Sequence, residues 1–513
     1  MAIIKQKRGN QVYVYEKHNY RDPVTKKVKL RSKTYLGVLD KDGNLIKTKV
    51  SKSHISNVKN YGGYFVVKEI INSIKLDKVL LEIYEDELVL KIINLIIFKL
   101  ISKSPLYLQP LWFEDNYSTK SVDSKSSSKL LEYLGLESSL IELFFKKWSS
   151  TVKGGSEEEN LVLDLTSIST YSSNIEYAEY GKNKDNDILE QINLGVIFNQ
   201  TKKTPIAFRS YPGSIKDVTT VKNIISLVNS LKISKVLFVF DRGFYSASNL
   251  NHISSNNIDF IISMPFTTNL SKELLAKNYI KLQELGNSFV YNKVAYYCIQ
   301  KKIKILDYHY NAYIFNDPIQ EAKSKNNLLM KIDLIEKDFL CKQYKNLEDA
   351  EKSLGNYKKY FIISENDNKI IIEKNYEQIQ SFIILKGKFI LISTKKLSPE
   401  NILKKYRDKD QIEKIFSLLK TGIKEKRFKT KKTETFNGRL FFNFLCLIVY
   451  NEIKNRFYSS ANKINKKITL NEMWLNLNKI KIRTLVNDKI EFTELTATNK
   501  KILNSLRINR EIS

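Results

Sequence analysis

Two short apolar runs, LVLDLTS at 161–167 and VLFVFD at 236–241, each carry an aspartate where a buried strand accommodates one badly. A carboxylate in such a strand is costly unless it is paired or bound to a metal ion. The surrounding texture is that of an α/β layer. LGVIFNQ (194–200), PIAFRSY (205–211) and FIISM (260–264) read as strands. IKDVTTVKNIISLVNSLK reads as a helix started by a Ser214–Asp217 capping pattern, and SASNLNHISSN as a second helix. Strand, hairpin, helix, strand, helix, strand is the order of a mixed sheet. In a doubly wound layer the first strand and the first strand after the crossover helix run side by side and parallel. Their carboxyl ends flank the switch point where ligands bind. Asp164 and Asp241 are therefore expected to face each other. Two ionised carboxylates about 4 Å apart repel by roughly 4 kcal/mol at an effective dielectric constant of about 20. A divalent cation between them reverses that sign, and hard oxygen donors without Cys or His point to Mg²⁺ or Mn²⁺.

A third block, YRDKDQIEKIFSLLK at 406–420, places Tyr406, Lys409, Glu413 and Lys420 within about 60° of one another on a helix. Ile412, Ile415, Phe416 and Leu419 form the adjoining apolar stripe, so one face is buried and its edge sets a carboxylate among cations. Ser398-Pro399 opens this helix in the favoured N-cap and N1 arrangement, and Gly422 lies near its end. Beside the sheet, Glu413 is positioned to complete an acidic set. Each residue also has a plainer reading. Asp241 before Arg-Gly suits a turn, with Arg242 and Phe244 shaping it; Asp164 suits a pair with a lysine; Glu413 suits a surface charge.

Together the three blocks resemble the catalytic blocks of DDE insertion-sequence transposases, specifically group four, whose signature is Tyr, Arg, Glu and Lys at the spacing of Tyr406, Lys409, Glu413 and Lys420. The resemblance covers roughly 160–455. It implies an α/β, ribonuclease-H-like mixed sheet with a strand-rich insertion before the last catalytic helix, and the 172-residue step from Asp241 to Glu413 suits that arrangement. By position, Asp164, Asp241 and Glu413 would be catalytic and hold two Mg²⁺ ions, with Mn²⁺ able to substitute. Such a pair activates a water or a 3′-hydroxyl for in-line attack on a phosphodiester. The implied activity is cut-and-paste transposition on double-stranded DNA, both terminal inverted repeats and target, by a homodimer assembled on the DNA. Tyr406, Lys409 and Lys420 would bind phosphates, and Lys424, Arg427 and Lys429 would continue the path. The chain departs from the family pattern twice. Lys409 stands at the signature arginine, while Arg407, also a DNA-binding candidate, sits two residues earlier; lysine lacks the bidentate fork, so which of the two takes the phosphate-binding role is open. Members that form hairpin ends hold a flipped base with an insertion tryptophan, whereas Trp112, Trp148 and Trp474 all lie outside 266–385. Tyr291, Tyr296, Tyr297, Tyr310 or Phe315 could stack in its place. A catalytically silent DNA-binding relative and a nuclease of the same fold are the alternatives.

Charge supports a polyanionic partner. The chain of 513 residues carries a formal +30, of which residues 1–60 hold +11 and residues 404–439 hold +8. An AT-rich genome raises lysine everywhere, but it would not concentrate the excess in under a fifth of the chain. The first 50 residues alternate aromatic or aliphatic with basic and contain an Asp-Gly turn at 42–43, so they read as short antiparallel strands. That unit suits either a nucleic-acid surface or a solvated lysine face. The organisation expected is a basic N-terminal β unit (1–60), a helical domain (61–155), the first part of the core (156–265), a β-rich insertion (266–385), the last part of the core (386–455) and a helical tail (456–513). A Ser-rich break at 118–129 and a linker at 150–160 punctuate it. Cys298, Cys341 and Cys446 are too scattered for a disulfide framework, and His18, His54, His252 and His309 lack zinc-ligand spacing. The start has no signal-peptide core. LVLKIINLIIFKLI (88–101) and LFFNFLCLIVY (440–450) read as buried helices rather than membrane spans, so a cytoplasmic protein is expected.

Overall fold

The computed structural model describes residues 2–9, 11–22, 26–40, 42–46, 55–119, 124–152, 158–172, 174–231, 233, 235–366, 369–459, 467–485 and 489–509. The N-terminal alternation becomes a four-stranded antiparallel sheet of β1 (Ala2–Arg8), β2 (Gln11–Arg21), β3 (Val28–Leu39) and β4 (Leu45–Ile46). Its two central strands, 11 and 12 residues long, exceed the short strands expected. Cross-strand pairs account for the extension. Tyr13 and Tyr15 pack on Tyr35, and the Lys33 ammonium lies 4.2 Å from the centre of the Tyr15 ring. After β5 (Ile55–Asn60) come six helices: α1 (Gly62–Ser73), α2 (Leu76–Leu81), α3 (Asp86–Ser102), α4 (Gln109–Asp115), α5 (Ser124–Leu136) and α6 (Ser138–Val152). The apolar stretch at 88–101 is the buried body of α3. Of the expected linker, residues 153–157 lie outside the described residues.

The α/β texture then builds one large mixed sheet. Its elements begin with β6 (Glu159–Thr170), β7 (Gln191–Asn199), β8 (Thr204–Pro212), α7 (Val221–Ser230), β9 (Val236–Phe240), α8 (Ala247–Ser255) and β10 (Asp259–Met264). The start of α7 differs from expectation. A 3₁₀ turn at Asp217–Thr220 precedes it without a side-chain cap, because the Ser214 hydroxyl is bonded to Glu179 instead. After α9 (Asn269–Asn278) come β11 (Ser288–Tyr291), β12 (Val294–Ile305) and β13 (Tyr308–Asn316). These three strands continue the same sheet. The remainder of the stretch, α10 (Pro318–Leu340), α11 (Leu347–Leu354), β14 (Phe361–Asn366), β15 (Lys369–Lys374) and α12 (Tyr376–Ile384), closes over a separate small core that includes Leu328, Ile332, Phe339 and Ile379. β16 (Lys388–Ser393) then enters the large sheet, whose order is β11-β12-β13-β16-β10-β9-β6-β7-β8. β6, β9 and β10 are mutually parallel, while β7, β8 and β16 run antiparallel to their neighbours.

The last elements are α13 (Pro399–Arg407), α14 (Asp410–Ser417), β17 (Arg427–Phe428), α15 (Thr433–Phe457), α16 (Leu470–Leu477), β18 (Lys481–Leu485), β19 (Ile490–Phe492) and α17 (Ala497–Ser505). Two expectations are corrected here. The tail is not purely helical: β18 pairs with β19 and with β5, tying the C-terminal segment to the residues that lead into α1. The Ser-rich break is already helical from Ser124, with residues 120–123 outside the description. Packing overrides the weak propensity of its serines. α5 and α15 approach so closely at Gly135 and Gly438 that a Cβ on Gly438 would lie 1.7 Å from the Leu131 carbonyl oxygen. No helix among the described residues is long and apolar enough to cross a membrane.

Candidate active site

β6 and β9 pair in parallel with Leu163 opposite Phe240, so Asp164 and Asp241 are the next residues on adjacent strands. β9 ends there. Asp241, still extended, leads into a 3₁₀ turn at Arg242–Phe244, where buried Phe244 anchors the loop. The side chain of Asp164 is largely covered. It accepts from the Leu165 backbone N–H at 2.8 Å and pairs with Lys184 at 3.3 Å. Asp241 accepts from the Tyr406 hydroxyl at 3.2 Å and lies 3.5 Å from the Lys409 ammonium. These surroundings push the two carboxyls apart. Burial raises the pKa of Asp164, with Asp241 adding to it and Lys184 opposing it. Burial would also raise Asp241, but Lys409, the Arg242 backbone N–H and Tyr406 together hold it below the usual carboxylate range. Burial, and then the neighbouring Asp241 charge, raises the Tyr406 phenol, which therefore stays protonated and donating.

The third block does not form one continuous helix. α13 begins as expected, with the Ser398 side chain accepting from the Asn401 N–H and Pro399 in the first turn, but it ends at Arg407. A tight turn at Asp408 and Lys409 starts α14, and a π turn at 418–422 follows, closed by the Ile423 N–H on the Leu418 carbonyl and containing Gly422. Ile412, Ile415, Phe416 and Leu419 are buried as expected, each stabilising the packing by roughly 1.5–3 kcal/mol. They fix the edge that carries Lys409 and Glu413. Lys409 lies 3.8 Å from Glu413 and 3.5 Å from Asp241, which bounds the separation of those two carboxylates at about 7 Å.

The cations sort differently from expectation. Arg407 turns away from Asp164 and Asp241, to Asp317 at 3.4 Å and over the ring of Phe389, so Lys409 is the one of the two that reaches Asp241. Lys420 pairs with Asp185 at 2.7 Å. Arg427 pairs with Asp187 at 2.7 Å and donates to the Tyr171 hydroxyl, while the Lys429 ammonium lies over the Tyr171 ring. Lys424 borders Lys103, whose ammonium loses proton affinity through burial and then through that neighbour. Lys184, Asp185 and Asp187 were missed by sequence reasoning. Their run, KNKDND at 182–187, carries the one usable signal, alternating charge in the loop that follows the first aspartate strand. Of the aromatic candidates, Tyr291 lines a cavity of about 410 Å³ beside Arg407 that Tyr296, buried against Phe289, also borders, whereas Tyr310 and Phe315 are buried in the sheet.

Asp164, midway along β6, and Asp241, just past the end of β9, offer hard oxygen donors suited to a divalent cation, and two lysine ammoniums already supply positive charge there. Glu413 does not join them in a single cluster. Among the described residues no group of three Asp, Glu, His or Cys side chains is disposed to hold one metal ion. The donor chemistry thus fits at the aspartates, with Glu413 held off by Lys409.

A family model described as Transposase DDE domain matches residues 155–449. A comparison with curated proteins gives no match. Among solved structures, the cryo-EM structure of a piggyBac transposase synaptic complex with hairpin DNA is similar at 9% identity and a TM-score of 0.35, covering 83% of this chain and 78% of that chain. At that distance it fixes no residue correspondence. The family match takes in more than half of the sequence, from the residues just before β6 to the body of α15, with both aspartates and Glu413 inside it, and the chain belongs to the DDE transposase family.

Proposed function

We propose that this chain is a DNA transposase that cleaves and joins transposon ends, with Asp164, Asp241 and Glu413 as its catalytic carboxylates on a ribonuclease-H-like core. The observation that carries the reading is the pairing of Leu163 with Phe240, which sets two aspartates side by side at a switch point of the sheet within a DDE-family chain. The strand order β8-β7-β6-β9-β10 supports the core assignment.

Asp164 and Asp241 would hold the divalent cations, Glu413 completing the set, and Mg²⁺ or Mn²⁺ bound there supplies Lewis acidity toward the phosphodiester oxygens. The chain's own groups do the rest. Lys409 neutralises Asp241 and Glu413, and with a cation held there it would be free to bind phosphate. Tyr406 orients Asp241 through its hydroxyl. Lys420, Arg427, Lys424 and Lys429 line the strand's path, the first two exchanging Asp185 and Asp187 for DNA phosphates. Tyr291, at the cavity beside Arg407, is the aromatic face offered to an unstacked base. A homodimer on DNA would bring two such sites to two ends.

The test is cleavage of labelled DNA that carries the flanking repeats. Mg²⁺ or Mn²⁺ should be required, and Asp164→Asn, Asp241→Asn or Glu413→Gln should each abolish cleavage while DNA binding persists. Cleavage surviving any of these substitutions would falsify the assignment of that residue. Binding without cleavage by the unaltered chain would favour the silent relative.

A further inference from the structure

The face of α14 turned away from Glu413 borders a cleft of about 780 Å³ that the catalytic reading does not use. Gln411 and Lys414 on that helix and Leu418 in the π turn after it form one wall; Lys202 and Lys203 come from the β7–β8 turn, and Lys454, Arg456 and Arg507 from the C-terminal elements. Glu452 is the single acid of the lining, and it is engaged by Arg456 at 2.7 Å. Lys202, Lys203, Lys414, Lys454 and Arg507 make no ion pair among the described residues. This contrasts with the cations on the other edge of the helix, each held by an aspartate.

The cleft is built rather than incidental. Asn451 and Asn455 both donate to the Lys203 carbonyl, at 2.6 and 2.9 Å, which pins the two-lysine turn to α15 although Lys203 adopts a left-handed backbone. Lys454 is partly buried, and its proton affinity is lowered by that burial and then by Lys414. Positive charge thus outweighs the nearby acids, Glu452 in the lining and Asp408 beside Lys203, an excess that a polyanion relieves.

Resting on the transposase reading, we infer that this cleft grips the phosphate backbone of the same duplex that enters the carboxylate site. Lys409 and Glu413 lie roughly 150° around α14 from Gln411 and Lys414, with the buried stripe on the opposite side. Both edges therefore flank the exposed crest of one helix about 10–12 Å across. The major groove of B-DNA is about 12 Å wide, so a duplex laid over that crest sets phosphates at both edges. Asp410, the acid on the crest, stands in the first turn, where its charge offsets the helix dipole.

The experiment is anisotropy of a short fluorescein-labelled duplex with the full chain across a KCl series. Lys414→Gln with Lys454→Gln should lower the slope of log affinity against log salt by roughly two, at about 0.9 per phosphate contact. Lys202→Gln with Lys203→Gln, on an exposed turn, should do the same without touching a helix. Adding Lys420→Gln should lower the slope of the one-to-one complex further, as one duplex spanning both edges requires. Slopes equal to the parent's in both double variants, while cleavage stays metal-dependent, overturn the cleft and leave the function standing. Loss of only a second bound duplex, or of binding to anionic vesicles or single strands alone, also overturns it. A parent chain that binds no duplex overturns both readings.

Discussion

Two ion clusters, around Lys409 and around Glu425, lie 16 residues apart in sequence and behave as opposites. Glu425 is sealed between α3 and α15, where Lys99 meets it at 2.6 Å and Arg439 grips both of its oxygens, donating from Nε at 3.0 Å and Nη2 at 3.2 Å. Lys99 and Glu425 are only 3% and 2% exposed, and the Arg439 guanidinium rests on the Phe428 ring. Around Lys409 the same chemistry is loose. Its contacts to Asp241 and Glu413 are 3.5 and 3.8 Å, and those carboxylates are 46% and 63% exposed. Burial separates the two. A buried carboxylate with both oxygens engaged ties the N-terminal helices to the core, and removing one partner leaves its charge poorly compensated. An open one at long range has little to lose by trading its lysine for another cation, which is what a metal-binding carboxylate has to do.

The largest effect expected from this contrast is at the sealed cluster. Glu425→Ala should destabilise the protein by roughly 3–5 kcal/mol in urea titrations, because Lys99 remains buried without its counter-charge and the part-exposed Arg439 loses its carboxylate. A loss below about 1 kcal/mol, the range of exposed pairs, would erase the distinction. A smaller effect, with a sign, divides the two aspartates. The raised pKa of Asp164 means that its penalty is absent below pH 4, grows as pH rises toward its folded value and persists above it. The depressed pKa of Asp241 means that its contribution is present above about pH 4 and is lost as pH falls through its folded value. At neutral pH without metal, Asp164→Asn should therefore raise the melting temperature and Asp241→Asn lower it; shifts of equal sign would break that assignment. The smallest effect belongs to the part-exposed pair of Lys420 with Asp185. Lys420→Ala should change stability by less than about 1 kcal/mol, yet reduce the salt slope of DNA binding by about one. A large stability loss would move Lys420 into the class of Glu425.

Both kinds of cluster were unequally legible. The aspartates could be read because an acid inside a five- or six-residue apolar run contradicts its neighbours, and Glu413 because its helix carries a clean apolar stripe beside it. Glu425 carried no such signal. It sits in KEKRFKTKK, where its lysine neighbours made the whole stretch look solvated and available to DNA, while its partners lie on α3 and α15. Arg407 and Lys409 could not be told apart either. The break between α13 and α14 sends one toward Asp317 and the other toward Asp241, and a helix drawn straight through 406–420 hides it.

What the sequence by itself determined was whatever depends on local patterning: the parallel neighbours β6 and β9, the buried α3 and α15, the Ser398 cap and the aspartates in or just after apolar strands. Such features follow from periodicity and burial within a dozen residues. Only the tertiary structure decided which charges meet. Asp185 and Asp187 find Lys420 and Arg427 across more than two hundred residues, β18 finds β5 from the far end of the chain, and the cleft gathers lysines from three separate segments. Electrostatic partners are chosen by distance and solvent exposure, and neither is written in the order of residues.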